Sequence, residues 1–291
     1  MFALSGALRA EEPAVGAVYT TTNSPSGNAV LLFDRAADGN LTPAGSFPTG
    51  GAGTGTGLGN QGGLVVDGSD RWLFAINAGS NELSVFAIER GGLILTDKKP
   101  TGGVRPVSVT VHRGLVYVLN AGSDNLTALR VNAFGQLQPI AGSGRASSGT
   151  GTGAAQVQFS PACPPAASVT KNDGVASLVT ASAHTNQTAA CWVVVTNDGH
   201  FAYVSNTGSG TLTGFAIASD GRLQLLDADG HTADTGAAAI DLALSRGSQF
   251  LYSLNSGDGS ISAFRVDYNG KLVALGTLPG LPAGANGLAA R

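Results

Sequence analysis

Short runs of alternating apolar and polar residues, each closed by glycine, serine, asparagine or aspartate, fill most of the chain. A period of two puts successive side chains on opposite faces, so these runs predict strands and not helices. They recur as one composite pattern: an apolar strand, a Gly/Ser turn, an alternating strand, a glycine turn, then leucine. The pattern reads AVYTTTN-SPSGN-AVLLFDRAADGNL from Ala17, WLFAIN-AGSN-ELSVFAIERGGL from Trp72 and LVYVLN-AGSD-NLTALRVNAFGQL from Leu115. It returns as FAYVSN-TGSG-TLTGFAIASDGRL from Phe201 and FLYSLN-SGDG-SISAFRVDYNGKL from Phe250. The second turn of each copy carries a glycine (Gly39, Gly92, Gly135, Gly221, Gly270), which supplies the positive φ a tight hairpin needs.

A further strand precedes most copies: GGLVVD (62–67), PVSVTV (106–111), AQVQFS (155–160), ACWVVVT (190–196) and AIDLALS (239–245). Four antiparallel strands per unit of 40 to 50 residues is the pattern of a β-propeller blade. The first copy lacks such an inner strand, while NGLAAR (286–291) has no strands after it, so the two are expected to pair and close the ring. Six inner strands then predict six blades of about 46 residues over a single domain spanning 16–291. One unit is short. Between Ala155 and Ala190 a single hairpin is readable, turning at Asn172, Asp173 and Gly174, and Pro161, Pro164 and Pro165 interrupt pairing there. Residues 161–189 are therefore expected to be the least regular blade.

Composition narrows the picture further. Gly at 43 of 291 residues fits many tight turns, and 43% hydrophobic residues exclude a disordered chain. With four Glu and four Lys, coiled coils and helix bundles are excluded as well. No apolar run reaches the length of a membrane-spanning helix, and a net charge of −3 offers no basic surface to nucleic acid. The first 15 residues read as a tail, at most the remnant of a signal peptide, which suggests a periplasmic or secreted protein, with a cytoplasmic location as the alternative. Cys163 and Cys191 form no metal motif, leaving either one bridge or two buried thiols.

The segments LFAINAGSNELSVFAI, RPVSV, QTAACWVVVT, NTGSGTLTGFAI and IDLALS resemble the bacterial lactonase family of β-propellers, typified by 6-phosphogluconolactonase and related to muconate-lactonizing enzymes. The resemblance spans about residues 16–291. It implies a seven-bladed norm, from which this chain departs by about one blade near AQVQFSP. It also implies an acidic site residue in that region, and no Glu follows Glu89.

Propeller sites gather where loops lead into the inner strands. That places Asn60, Gln61, Arg105, Gln156, Gln187, Thr188, Asp241 and Asn286 on one face, with Asn77, Asn120, Asn206 and Asn255 nearby. Arg105 suits bidentate binding of an anionic or carbonyl oxygen, and Asp241 or His184 suits the base that holds a water. Gln61, Gln156, Gln187, Thr188 and Asn286 are candidate ligand contacts. Against this, Asp241 and the repeated Asn residues also suit satisfying turn backbone groups. The cluster Asp227, Asp229, His231 lacks a full calcium loop, and the glycines Gly57, Gly59 and Gly62 open a strand, not the helix of a dinucleotide site. No metal or cofactor is expected. Two functions follow: hydrolysis of a sugar lactone or related ester at the channel mouth, or a non-catalytic secreted or periplasmic scaffold that binds a small oxygen-rich ligand or a protein.

Overall fold

The structure, a computed structural model, describes residues 14–147, 149–151, 153–159 and 183–291, and the backbone alone of 168–170 and 176–178. Every regular element among them is a strand. β1 (Gly16–Thr21), β2 (Ala29–Arg35) and β3 (Leu41–Pro48) form the outer part of a first blade. β4 (Leu64–Val66), β5 (Trp72–Asn77), β6 (Glu82–Glu89) and β7 (Gly92–Pro100) form a second, each strand antiparallel to the next. The third holds β8 (Pro106–His112), β9 (Leu115–Asn120), β10 (Asn125–Val131) and β11 (Leu137–Pro139), with β12 (Arg145–Ala146) also on β10.

A two-stranded ladder, β13 (Ser168–Thr170) with β14 (Ala176–Leu178), comes next in the chain. The fourth blade is β15 (Ala190–Val195), β16 (Phe201–Asn206), β17 (Thr211–Ile217) and β18 (Leu223–Leu225), with β19 (Ala233–Asp234) on β17. The fifth is β20 (Ala239–Leu244), β21 (Phe250–Asn255), β22 (Ser260–Val266) and β23 (Leu272–Pro279). β24 (Asn286–Ala290) returns to β1, pairing Val18 with Ala290 and Thr21 with Asn286. The first blade is therefore completed by the last strand, as the strand pattern predicts.

The expectation of six blades is corrected: five four-stranded blades stand among the described residues. The difference lies in AQVQFS, read as a sixth inner strand. Residues 153–159 follow β8 without entering a ladder. The amides of Val157 and Phe159 donate to the hydroxyls of Ser108 and Thr110, each at 3.1 Å, where a blade would supply a backbone partner. With its hydrogen bonds spent on side chains, the segment lines the ring but nucleates no sheet. The predicted hairpin is present as β13 and β14. Its turn at Asn172, Asp173 and Gly174, and the prolines Pro161, Pro164 and Pro165, lie outside the described residues, as does nearly all of the N-terminal tail.

Adjacent blades share apolar layers. Tyr19, Val30, Leu64, Leu73 and Phe86 join the first to the second, while Phe74, Ile76, Val107, Val116 and Val118 join the second to the third. Tyr203, Leu212, Leu251 and Phe264 join the fourth to the fifth, and Val18, Phe33, Tyr252, Ile261 and Leu288 join the fifth to the first. The second strand of each blade has both faces covered, which is why these strands read as near-continuous apolar runs; β21 is buried along its whole length.

The repeated turn glycine has a reason beyond hairpin geometry. Gly270 has φ +81°, and a β-carbon there would collide with the ring of Phe201 in the preceding blade, whose Tyr203 hydroxyl donates to the Gly270 carbonyl at 2.8 Å. Gly39 repeats the arrangement with Phe250 and the Tyr252 hydroxyl, 3.0 Å away. Gly280, at φ +93°, has open space around it. Gly270→Ala is therefore expected to cost about 2–4 kcal/mol, from the backbone penalty plus overpacking, and Gly280→Ala only about 1 kcal/mol. Urea denaturation of both variants checks this, and equal losses would show that the packing of Phe201 contributes nothing.

Candidate functional site

The inner strands β4, β8, β15, β20 and β24, with residues 156–158, surround a central cavity of about 460 Å³. Its wall is mainly aliphatic: Val65, Val66, Val109, Val193, Val194, Val195, Leu242, Leu244 and Leu288 all contribute. The polar lining comprises Gln61, Thr110, Gln156, Gln158, Asn197 and Asp241, and polar atoms make up nearly half of the accessible surface. A concave hollow with an aliphatic wall and convergent polar groups has the form of a small-molecule site.

Asp241 sits where β20 makes a bulge between Ala239 and Asp241, which turns its side chain into the ring. It is 1% exposed. One carboxylate oxygen accepts the N–H of Leu242 at 2.8 Å, and the other accepts that of Leu288 on β24 at 2.9 Å. Burial pushes its pKa up to about 7, against the opposing pull of those two amides, the Gln61 amide and the Gly62 N–H. This one carboxyl therefore ties three inner strands together and is also the sole titratable group among the described cavity-lining residues.

Gln61 is 5% exposed. Its backbone N–H donates to the carbonyl of Ala155, which fastens the loop before β4 to the 153–159 segment. Its Nε2 donates across the channel to the Val193 carbonyl at 3.3 Å, and the amide also favours the ionised form of Asp241. The carbonyl can only accept, so it sets the orientation of the amide, whose Oε1 is buried with no hydrogen-bond partner among the described residues. Gln156 donates to Gln158 at 3.1 Å, and both lie on the cavity wall.

The other sequence candidates lie elsewhere. Asn286 is buried beside the cavity in a polar chain, where its Nδ2 donates to Asn60 at 2.9 Å and its carbonyl accepts the Thr21 hydroxyl at 2.6 Å. Asn60 in turn donates to the Val107 carbonyl. Arg105 is exposed on a left-handed turn (φ +51°), its backbone N–H bound to the Asn81 side chain at 2.7 Å, away from the cavity lining. His184 is exposed in a surface hollow with Phe215 and Leu225 of the fourth blade. Gln187 donates to the Asp229 carbonyl at 3.1 Å, and the exposed Thr188 receives a hydrogen bond from Gly208, so both pin a loop to its own blade. The structure thus gathers Asp241, Gln61 and Gln156, and leaves Arg105, His184, Gln187 and Thr188 outside.

The repeated asparagines are structural. Asn77 donates to Ser84, Asn120 to Thr127, Asn206 to Thr213 and Asn255 to Ser262, always seven residues on, clamping the second strand to the third. His231 contacts Asp234 at 2.8 Å, and among the described residues no metal-binding cluster occurs. Gly57, Gly59 and Gly62 lie in the loop leading into β4. Cys191 is an exposed, unbridged thiol, which corrects the expectation of a buried one; Cys163 lies outside the described residues. Sequence reasoning missed Thr110, Gln158 and Asn197 as lining groups. Gln158 was legible as the same-face neighbour of Gln156, two residues on.

A family model described as "Lactonase, 7-bladed beta-propeller" matches residues 17–152 and 165–276. The chain belongs to this lactonase propeller family. The break in the match begins where residues 153–159 enter no ladder, and the described residues hold five blades where the family description has seven. Among solved structures the fold is similar to a protein from Lactobacillus plantarum, at 19% identity and TM-score 0.55 over 94% of this chain and 84% of that one. It is also similar to candidate 6-phosphogluconolactonases from Bacteroides fragilis (18% identity, TM-score 0.51, 92% and 84% covered) and Bacteroides uniformis (22%, 0.51, 91% and 82%). At these identities the likeness concerns the fold. No curated protein sequence matches the chain.

Proposed function

We propose that this member of the lactonase family hydrolyses a sugar lactone or a related ester inside the central channel. The observation that carries the reading is Asp241: a carboxyl held near pH 7 in a cavity of about 460 Å³, with a glutamine amide beside it. A general base works best when its pKa lies near the working pH. Asp241 would take a proton from water as the water oxygen attacks the lactone carbonyl. The ring C–O bond then breaks, and the same proton passes to the leaving alkoxide, giving a hydroxy acid. Gln156 and Gln158 offer amide N–H groups for the developing oxyanion.

The test is hydrolysis of δ-lactones measured against the uncatalysed rate at pH 7.5. Asp241→Asn, which keeps shape and loses basicity, is expected to lower kcat by about 10²–10⁴-fold. A parent protein with no turnover above background would retire the enzymatic reading. One observation favours the alternative of a non-catalytic binding scaffold: both Asp241 oxygens already accept backbone N–H groups, as a purely structural staple would. Unaltered turnover in Asp241→Asn would leave that staple as the residue's whole role. The Arg105→Ala and His184→Ala variants are expected to keep full turnover, because neither side chain reaches the cavity.

A further inference from the structure

We propose that the protein holds a second ligand site, a cleft between its second and third blades that takes a small organic anion with a flat apolar body, such as an aryl carboxylate. The cleft, about 470 Å³, lies at the end of the ring where first strands turn into second ones, opposite the loops that lead into the inner strands. That volume suits a small molecule. Trp72, Val111, Val131 and Ala133 give it an apolar wall. The indole is held on two sides. The Arg71 guanidinium lies 5.3 Å from its ring centre and donates to the Ala133 carbonyl, and Gly135 presses on its benzo edge, where a β-carbon would collide with Cζ3. A ring fixed in this way loses little freedom when a flat ligand packs against it. The polar groups decide the charge of that ligand. Asp67 spends both carboxylate oxygens within its own turn, on the N–H groups of Ser69, Arg71 and Trp72 and on the Ser69 hydroxyl. Asn132 is spent likewise, accepting from the amides of Phe134 and Gln136 and donating to the Gln136 side chain. Neither is left to grip the hydroxyls of a sugar. Arg113 also lines the cleft, exposed on a left-handed turn (φ +48°), and its guanidinium has no acceptor among the described residues. Two guanidiniums thus stand beside one carboxylate that is already hydrogen-bonded. A guanidinium next to an apolar wall suits a carboxylate, which it binds through two parallel N–H bonds. Nothing in this cleft depends on the chemistry of the channel.

The proposal is tested with 2-naphthoate and its neutral isostere 2-naphthamide, titrated calorimetrically into the full chain at about pH 7.5, where the carboxylate is ionised. The carboxylate is expected to bind at least about tenfold more tightly than the amide. Arg113→Gln is expected to weaken the carboxylate by about tenfold or more and to leave the amide unchanged. Gly68→Trp fills the cleft, since Gly68 lines it and a β-carbon there meets nothing within 4 Å. That variant is expected to abolish binding of both probes while its melting curve stays that of the parent. Should it melt lower, Arg113→Gln, at an exposed position, decides alone. Arg105→Gln removes an exposed arginine from the other end of the ring and is expected to leave both affinities as they are. Equal affinities of the two probes in the parent, no binding of either, or carboxylate binding that survives Arg113→Gln or a folded Gly68→Trp would each overturn the proposal. A loss in Arg105→Gln as large as that in Arg113→Gln would also overturn it, by tracing the affinity to overall charge and not to this cleft.

Discussion

Removal of residues 286–291 is expected to abolish cooperative folding or lower the melting temperature by about 8 °C or more, on the order of 5 kcal/mol or more. The reason is that the excised strand belongs to the first blade although it comes last in the chain. Leu288 is 4% exposed, and burying such a side chain contributes about 1.5–3 kcal/mol. The ladder to β1 is lost with it, together with the bonds from Leu288 to Asp241, from Asn286 to Asn60 and from Arg35 to the Arg291 carbonyl. Each such bond is worth about 1 kcal/mol net, and a buried group left unpaired costs more. The cut also exposes β1, five of whose six residues are buried, as a free apolar edge. Thermal denaturation of the truncated chain, with light scattering to detect aggregation, decides the matter. A melting curve within 2 °C of the parent would show that the last strand is not part of the ring's stability.

The second large effect is a fall in stability between about pH 4 and pH 7, caused by Asp241. Its folded pKa is raised from 3.8 to about 7, so over that interval the folded chain holds a proton that the unfolded chain has released. Stability from this group is fully present below about pH 4 and is lost as pH rises to about 7. At about 1.4 kcal/mol per pH unit the change is about 4 kcal/mol. Glu82, Asp198 and Asp220 are shifted the other way by their hydrogen-bond partners, so their contributions rise with pH, but only up to the ordinary carboxylate range. They leave the interval from 4.5 to 7 to Asp241. Urea unfolding at half-unit steps should show the decline in the parent and a flat profile in Asp241→Asn. Parallel profiles would mean that the carboxyl is ionised throughout. Lactone turnover should move in the opposite sense, rising through about pH 7, since the base works only once its proton has left. The same burial that would suit Asp241 to the proposed role of base makes it a liability to the fold near pH 7.

How much of this was legible beforehand depends on distance along the chain. A period-2 run or a turn glycine at positive φ records forces acting within one hairpin, and such forces are written in neighbouring residues. The blades from Trp72, Leu115, Phe201 and Phe250 follow from them, as does the pairing of NGLAAR with AVYTTT, because a strand lacking an inner neighbour and an inner strand lacking a blade have one solution. Whether AQVQFS becomes a blade could not be read in this way. It alternates like the others, but the hydroxyls of Ser108 and Thr110, some 49 positions away, take the amides of Val157 and Phe159. The site follows the same rule. Asp241, Gln61 and Gln156 come from three turns of the ring, and only the meeting of inner strands brings them to one cavity. Arg105 and His184 occupy equally suggestive loops. Their directions are set by left-handed backbone at Arg105 and by the surface of the fourth blade at His184, and both point out of the channel. Local pattern determined what each segment becomes; the closed ring decided which of their side chains share a volume.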